Sequence, residues 1–250
     1  MYDLQEDLCC FWRCYYIVII IFKYMEIFMK NTSIFDIVGP IMIGPSSSHT
    51  AGAVRLGLMA RKIYNSELKK VVFTLYNSFA KTGKGHGTDK GLLGGIQGFE
   101  VDDTRIKEAH EYAQKAGIKY EFRYKDNPDR HPNAVDIEFL NGSEMSISGN
   151  SIGGGEIKIT AINGFNVDLD GTLPTLLMVY KDKPGMISKV TGFIQEAQIN
   201  IATLNCDREA KGETATMTIC LDSVLPEDIV DKIKNLPDVY LVRNIDVLRK

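Results

Sequence analysis

At 250 residues, with 44% apolar and 24% charged side chains, the chain has the composition of a folded globular protein, long enough for one large domain or two ordinary ones. Its 29 basic residues do not outnumber its 32 acidic ones, and the formal net charge of -3 argues against nucleic acid as a partner. Five cysteines, an odd number without a C-x-x-C pair, argue against a disulfide framework and for a reducing cytoplasm, and they gather too few ligands for a metal site within this chain.

The first feature in chain order is the tract "LCCFWRCYYIVIIIFKYMEIFMK", which invites a membrane reading. Its uncharged core runs only from Cys14 to Phe22, whereas a spanning helix needs about twenty residues. Acidic Asp3, Glu6 and Asp7 stand where a signal peptide carries basic residues, and no A-x-A cleavage pattern follows. No membrane association is therefore expected. Residues 1–30 read as an extension, either disordered or upstream sequence ahead of a true start at Met25 or Met29.

At 44–53 stands "GPSSSHTAGA". Gly44 and Pro45 turn the chain, and any of Ser46, Ser47 or Ser48 has the side chain to cap the helix that the pattern of 50–64 predicts. The β-branched and aromatic run at 69–80, "KKVVFTLYNSFA", predicts a strand. Residues 81–99 read as a Gly-rich loop followed by a helix bearing Leu92, Leu93, Ile96 and Phe99, and a second helix is expected over 104–116, closed by Gly117. Strands follow near 118–125, 134–140, 144–151 and 155–162, with Asn141-Gly142 as a tight turn joining two of them in antiparallel pairing. The first domain, 31–168, is α+β.

"DLDGTLPT" at 168–175 has the composition of a joint, with 169–173 as linker. Beyond it, over 174–250, come strand 175–181, helix 185–197, strands 199–206 and 213–221, helix 226–235 and strand 239–247. This βαββαβ order is a ferredoxin-like split-βαβ arrangement. Pro184 stands at a helix start, where its missing N–H costs nothing.

The stretch "VYKDKPGMISKVTGFIQEAQINIATLNCDR" resembles an ACT domain, on Asp182, Pro184 and Gly185 after the first strand and Asn200-Ile201 opening the second. The resemblance implies side-by-side self-association and an amino-acid ligand held near Asp182, Gly185 and Asn200. In the first domain "SIFDIVGPIMIGPSSSHTAGAVRLG", "GHGTDKGLLGG", "HPNAVDIEF" and "SIGGGEIKI", in that order, resemble the β chain of two-subunit iron-sulfur L-serine dehydratases. Their fold is of the allosteric-substrate-binding-like type. The resemblance implies conversion of L-serine to pyruvate and ammonia at a [4Fe-4S] cluster. It places the cluster's cysteine ligands on a separate α chain, with the serine loop of this chain reaching into that pocket.

Such a reaction needs a base for the α proton, help for the departing hydroxide and a grip on the carboxylate. His49 is the candidate base, since an imidazole titrates near working pH and a helix start favours its neutral form. Ser46, Ser47, Ser48 and Thr50, with the backbone amides after Ser47, form a candidate carboxylate cradle. His86, Thr88 and Asp89 in "GKGHGTDKG" are candidate secondary contacts to substrate or a small anion, although the segment lacks the order of a nucleotide phosphate loop. His110 and His131 read as solvated. Two other readings compete: a non-catalytic regulatory subunit that binds an amino acid through its second domain, and a freestanding amino-acid-binding module.

Overall fold

The computed structural model describes residues 41–140 and 144–249, so the expectations for residues 1–40 and for the Asn141-Gly142 turn lie outside the described residues. Among the described residues no helix is long and apolar enough to cross a membrane.

Ser46, in an extended conformation, is the serine that caps: its hydroxyl accepts from the His49 N–H at 3.1 Å. A π-helical turn, Ser47–Ala51, follows and leads into helix α1, Gly52–Tyr64. Ten of its thirteen residues are buried, so α1 is enclosed on several sides rather than lying on the surface. It packs on α3 (Thr88–Ile96) and on strands β4 (Met145–Gly153) and β5 (Glu156–Ile162).

Strand β1, Lys70–Tyr76, stops earlier than its composition suggests, and a helix, α2 (Asn77–His86), stands where strand end and loop were expected. The break is at Asn77, in the left-handed conformation at φ 50°. Its side chain donates to the carbonyls of Asn127 and Arg130 and accepts from the Asn127 N–H, which holds the turn. Three glycine or threonine positions weaken the helical pattern of α2; burial of Phe79 and Gly83 compensates. The helix expected over 104–116 divides into a 3-10 turn, Thr104–Glu108, capped by Asp103, and α4, Ala109–Lys115. Gly117 closes it as expected, with the Ile118 N–H returning to the Ala113 carbonyl.

The first sheet has the order β2-β1-β3-β4-β5-β6, where β2 is Lys119–Lys125, β3 is Ala134–Phe139 and β6 is Phe165–Leu169. Only β1 and β2 run parallel; the other pairs are antiparallel. Strand β6 was not expected from the sequence, yet Asn163-Gly164, at φ 49° and 84°, is a hairpin turn of the usual kind.

The second sheet, β10-β7-β9-β8, consists of β7 (Thr175–Lys181), β8 (Ile201–Arg208), β9 (Thr214–Leu221) and β10 (Val239–Ile245). Helices α5 (Met186–Glu196) and α6 (Glu227–Lys234) cover one face through Val190, Ile194, Ile229 and Ile233. This is the ferredoxin-like order expected from βαββαβ. Its other face joins the first domain: Leu177, Ile245 and Leu248 belong to the same core as α1. The Arg243 guanidinium on β10 donates to the carbonyls of Ile63 and Tyr64 at 2.8 and 3.1 Å, which end α1 beyond its last intrahelical acceptors. The joint is likewise packed, with the Leu248 N–H bonded to the Gly171 carbonyl.

Candidate functional site

The serine turn, the end of β1 and the end of α2 meet at one place. Gly44 begins it at φ 117°, and a Cβ there would lie 2.5 Å from Thr50 Cγ2, so only glycine lets the turn fold back on itself. Thr50 is buried, and its hydroxyl donates to the His86 carbonyl at 2.7 Å, tying the serine turn to α2 instead of facing a ligand. His86, remote in sequence, is thereby set beside His49, with ring centroids 5.1 Å apart.

The two imidazoles are held differently. His49 Nδ1 lies 3.0 Å from Ser48 Oγ and Nε2 lies 3.0 Å from Ser78 Oγ, so both ring nitrogens are engaged, and Phe79 meets the ring edge-on at 5.4 Å. His86 Nδ1 lies 3.0 Å from the Thr82 carbonyl. A carbonyl oxygen only accepts, so Nδ1 carries the proton in the neutral ring, and the Nε2 lone pair is left without a partner among the described residues. Of the three serines, Ser46 is occupied as the cap and Ser48 by His49, while the Ser47 hydroxyl makes no hydrogen bond among the described residues.

Burial pushes the His49 imidazole below its ordinary pKa, and neighbouring His86 adds in the same direction. The folded state thus binds this proton more weakly than the unfolded chain. The contribution of His49 to stability is complete above the unfolded value near 6.5 and is lost as pH falls through the lower folded value. Acidification from about pH 7.5 to about 5.5 should lower the melting temperature of wild type more than that of His49→Gln. Equal slopes in differential scanning calorimetry would remove His49 as the cause.

Ser151, fully buried on β4 in the "SIGGG" stretch, donates from Oγ to the Ser48 carbonyl at 2.8 Å and so pins the residue before His49. Ser151→Ala leaves that carbonyl without its donor and should cost about 1–2 kcal/mol. A urea midpoint identical to wild type would show that the bond contributes nothing.

The remaining candidates are dispersed. Thr88 is fully buried and packs against Gly83, and Asp89 pairs with His110 Nε2 at 3.1 Å. His110, expected in solvent, therefore bridges Asp89 and the Tyr120 hydroxyl. His131 accepts from the Asn133 N–H through Nδ1, and adjacent Pro132 accepts the Ser78 N–H, so this loop borders the site as well. In the second domain Asp182 and Gly185 line one cleft, where the Gly212 N–H and Arg208 hold the Asp182 carboxyl below its ordinary pKa. Asn200 lines a different hollow, with Thr191 and Gln195.

Sequence reasoning missed Ser78 and Ser151 as site residues. An Asn-Ser pair directly after an apolar strand was the available signal for Ser78, because Asn tolerates the left-handed turn. For Ser151 there was none beyond the glycines that follow it.

The fold and the cluster define a two-domain protein, a histidine- and serine-bearing α+β domain followed by a ferredoxin-like one; residues 174–238 match the family model of the ACT domain. Residues 33–161 match that of the serine dehydratase beta chain, and the chain belongs to this family. It is 43% identical over 218 residues to the probable L-serine dehydratase, beta chain, of Bacillus subtilis, covering 87% of this chain and 99% of that one. It is 40% identical over 222 residues to the L-serine dehydratase, beta chain, of Peptoniphilus asaccharolyticus, covering 88% of this chain and 100% of that one. A D-3-phosphoglycerate dehydrogenase of Bacillus subtilis is 26% identical over 78% of this chain and 37% of its own length.

Proposed function

We propose that this chain is the β chain of a two-chain L-serine ammonia-lyase, which removes water from L-serine to give pyruvate and ammonia. The observation that carries the reading is the pair of imidazoles at the mouth of the serine turn, one held at both nitrogens and the other with Nε2 unpartnered among the described residues.

Among the described residues no group of three His, Cys, Asp or Glu side chains is placed to hold a metal ion. Cys206 and Cys220, the described thiols, lie in the second sheet. These residues do not fit a [4Fe-4S] cluster, and the proposal assigns its ligands to the α chain. When bound there, the cluster supplies a Lewis acid for the substrate hydroxyl.

This chain's part is proton chemistry and anion binding. In place of His49, the base expected from the sequence, the proposal gives the substrate α proton to His86 Nε2, because both His49 ring nitrogens face serine hydroxyls while the His86 lone pair is aimed by the Nδ1–H bond to Thr82. His49, anchored by Ser48 and Ser78, forms the wall beside it and keeps the turn in place. The Ser47 hydroxyl and the N–H groups of Ser47 and Ser48 receive the carboxylate, the later amides of the turn being donated to Ser46 and Ser47.

The reading is tested by anaerobic reconstitution with a cluster-bearing α chain, measuring pyruvate. Turnover is expected only when both chains are present. Pyruvate formed by this chain alone would refute the two-chain reading. Unchanged turnover on replacing both histidines would favour a non-catalytic regulator, for which the second domain's separate cleft at Asp182 and Gly185 is the supporting feature.

A further inference from the structure

The face of the second sheet turned toward the first domain is polar where a buried face is ordinarily apolar. Strand β9 alternates in residue type: Ala215, Met217, Ile219 and Leu221 pack under α5 and α6, while Thr216, Thr218 and Cys220 stand on the other face. Their cross-strand partners on β8 are Asp207, Asn205 and Thr203. Asp207 is spent on the first domain, its carboxylate accepting from the Asn166 N–H at 2.7 Å and from the Asn166 side-chain amide at 3.2 Å. Next to that clamp lies a cleft of 410 Å³ between the sheet and the joint. Thr203, Asn205 and Thr218 line it from the sheet, and Asp168, Asp170 and Thr172 line it from the end of β6 and the joint.

Thr218 is only 4% exposed, yet its hydroxyl makes no hydrogen bond among the described residues. Burying a hydroxyl without a partner is unfavourable, so such a group on a cleft wall marks a place where something else bonds. The side chains of Thr203 and Asn205 beside it are likewise unbonded among the described residues. Across the cleft Asp170 Oδ1 accepts both the N–H and the hydroxyl of Thr172, at 2.9 and 2.7 Å, while Oδ2 has no partner among the described residues. Asp168 pairs with Lys158 at 2.9 Å. Among the described residues no lysine, arginine or histidine lines the cleft. It therefore presents negative charge, at Asp170, opposite hydroxyl and amide groups.

We propose that this cleft binds a small hydroxylated amine, with the ammonium on Asp170 and the hydroxyls on Thr218, Thr203 and Asn205. Charge selects the ammonium, because a hydrogen bond to a carboxylate is about twice as strong as one between neutral groups. Acids are excluded for want of a cation to meet them. The volume falls within the ~300–1,000 Å³ of small-molecule sites and admits an amino alcohol or an amino sugar. Such sites favour the boundary between domains. None of these residues lines the cleft at Asp182 and Gly185, and the site does not depend on the reaction proposed above.

The test is calorimetric titration of the whole chain at about pH 6.5, where aliphatic amines are protonated, and at constant ionic strength. The probes are serinol and glucosamine, each set against its neutral counterpart, glycerol and glucose. Saturable binding of at least one amine is expected, with its neutral counterpart at least about tenfold weaker. Which amine binds identifies the source. Asp170→Asn, shown folded by circular dichroism, should weaken binding at least about tenfold and Thr218→Val about three- to tenfold, while Asp231→Asn on α6 should leave it unchanged. Thr218→Val should also keep or exceed the wild-type melting temperature, because the hydroxyl it removes has no partner among the described residues. Absence of saturable binding of both amines overturns the proposal, as does equal binding of an amine and its neutral counterpart, or full affinity in Asp170→Asn. A Thr218→Val protein that melts well below wild type and binds as tightly would show a structural hydroxyl and refute the site as well.

Discussion

On the proposed two-chain reading, replacing His86 by Ala should lower kcat of the reconstituted protein by about 10²- to 10⁴-fold, the range over which a positioned general base contributes. His49→Ala should cost about tenfold. The difference follows from ring occupancy. A base must offer a lone pair to the carbon-bound proton, and both His49 nitrogens already face serine hydroxyls at 3.0 Å. His86 spends Nδ1–H on a carbonyl that can only accept, which leaves Nε2 as an acceptor without a partner among the described residues. Loss of His49 removes a wall of the site and two hydrogen bonds, so its effect should fall on KM as well as kcat. Ser78→Ala frees His49 Nε2 and should resemble a mild form of His49→Ala, with Ser78→Thr restoring the hydroxyl. Single-turnover measurement of α-proton release from deuterated substrate separates this step from product release. Loss of proton abstraction in His49→Ala together with its retention in His86→Ala would reverse the roles.

His49 was legible in the sequence because it sits in a short local pattern, a turn of Gly and Pro, then capping serines, then a helix. Ser46 caps as expected and the turn delivers the ring to a defined place. The identity of its neighbour was legible only as a vague second contact, because His86 reaches it through a hydrogen bond spanning thirty-six positions, Thr50 Oγ1 to the His86 carbonyl. No local propensity encodes such a pairing. Helix α2 was missed for a related reason: Gly83, Gly85 and the threonine between Lys81 and Gly83 lower its intrinsic helicity, and tertiary burial of Phe79 outweighs that. The second domain was more readable. Its helices carry clear apolar faces, and its βαββαβ order has one common sheet arrangement. What that order could not disclose is the role of Arg243 at the end of α1, a contact between two sheets rather than within one.

Gly95→Ala should be among the most destabilising single changes in the first domain, even though alanine favours helices. Helices α1 and α3 cross with their backbones nearly touching. A Cβ on Gly95 would lie 2.8 Å from the Leu58 N and 2.9 Å from Gly57 Cα, and one on Gly57 would lie 2.5 Å from the Leu92 carbonyl oxygen. These neighbours are backbone atoms of a buried helix, which cannot rotate away as a side chain can, so the helices must separate. Overpacking of this kind costs ~3 kcal/mol or more. The gain from replacing glycine inside a helix is about 1 kcal/mol. A net loss of roughly 2 kcal/mol, or a melting temperature lower by about 4–8 °C, is the expected result for a chain of this length. Gly192 on α5 supplies the contrast, for a Cβ there meets nothing within 4 Å. Gly192→Ala should therefore raise stability by about 0.5–1 kcal/mol. Thermal unfolding of the two single variants checks both signs at once. Displacement of α1 also moves the turn at its start, so Gly95→Ala should reduce turnover in fully folded protein, whereas Gly192→Ala should not. If both substitutions shift the melting temperature upward, close approach of α1 and α3 does not determine the position of the serine turn.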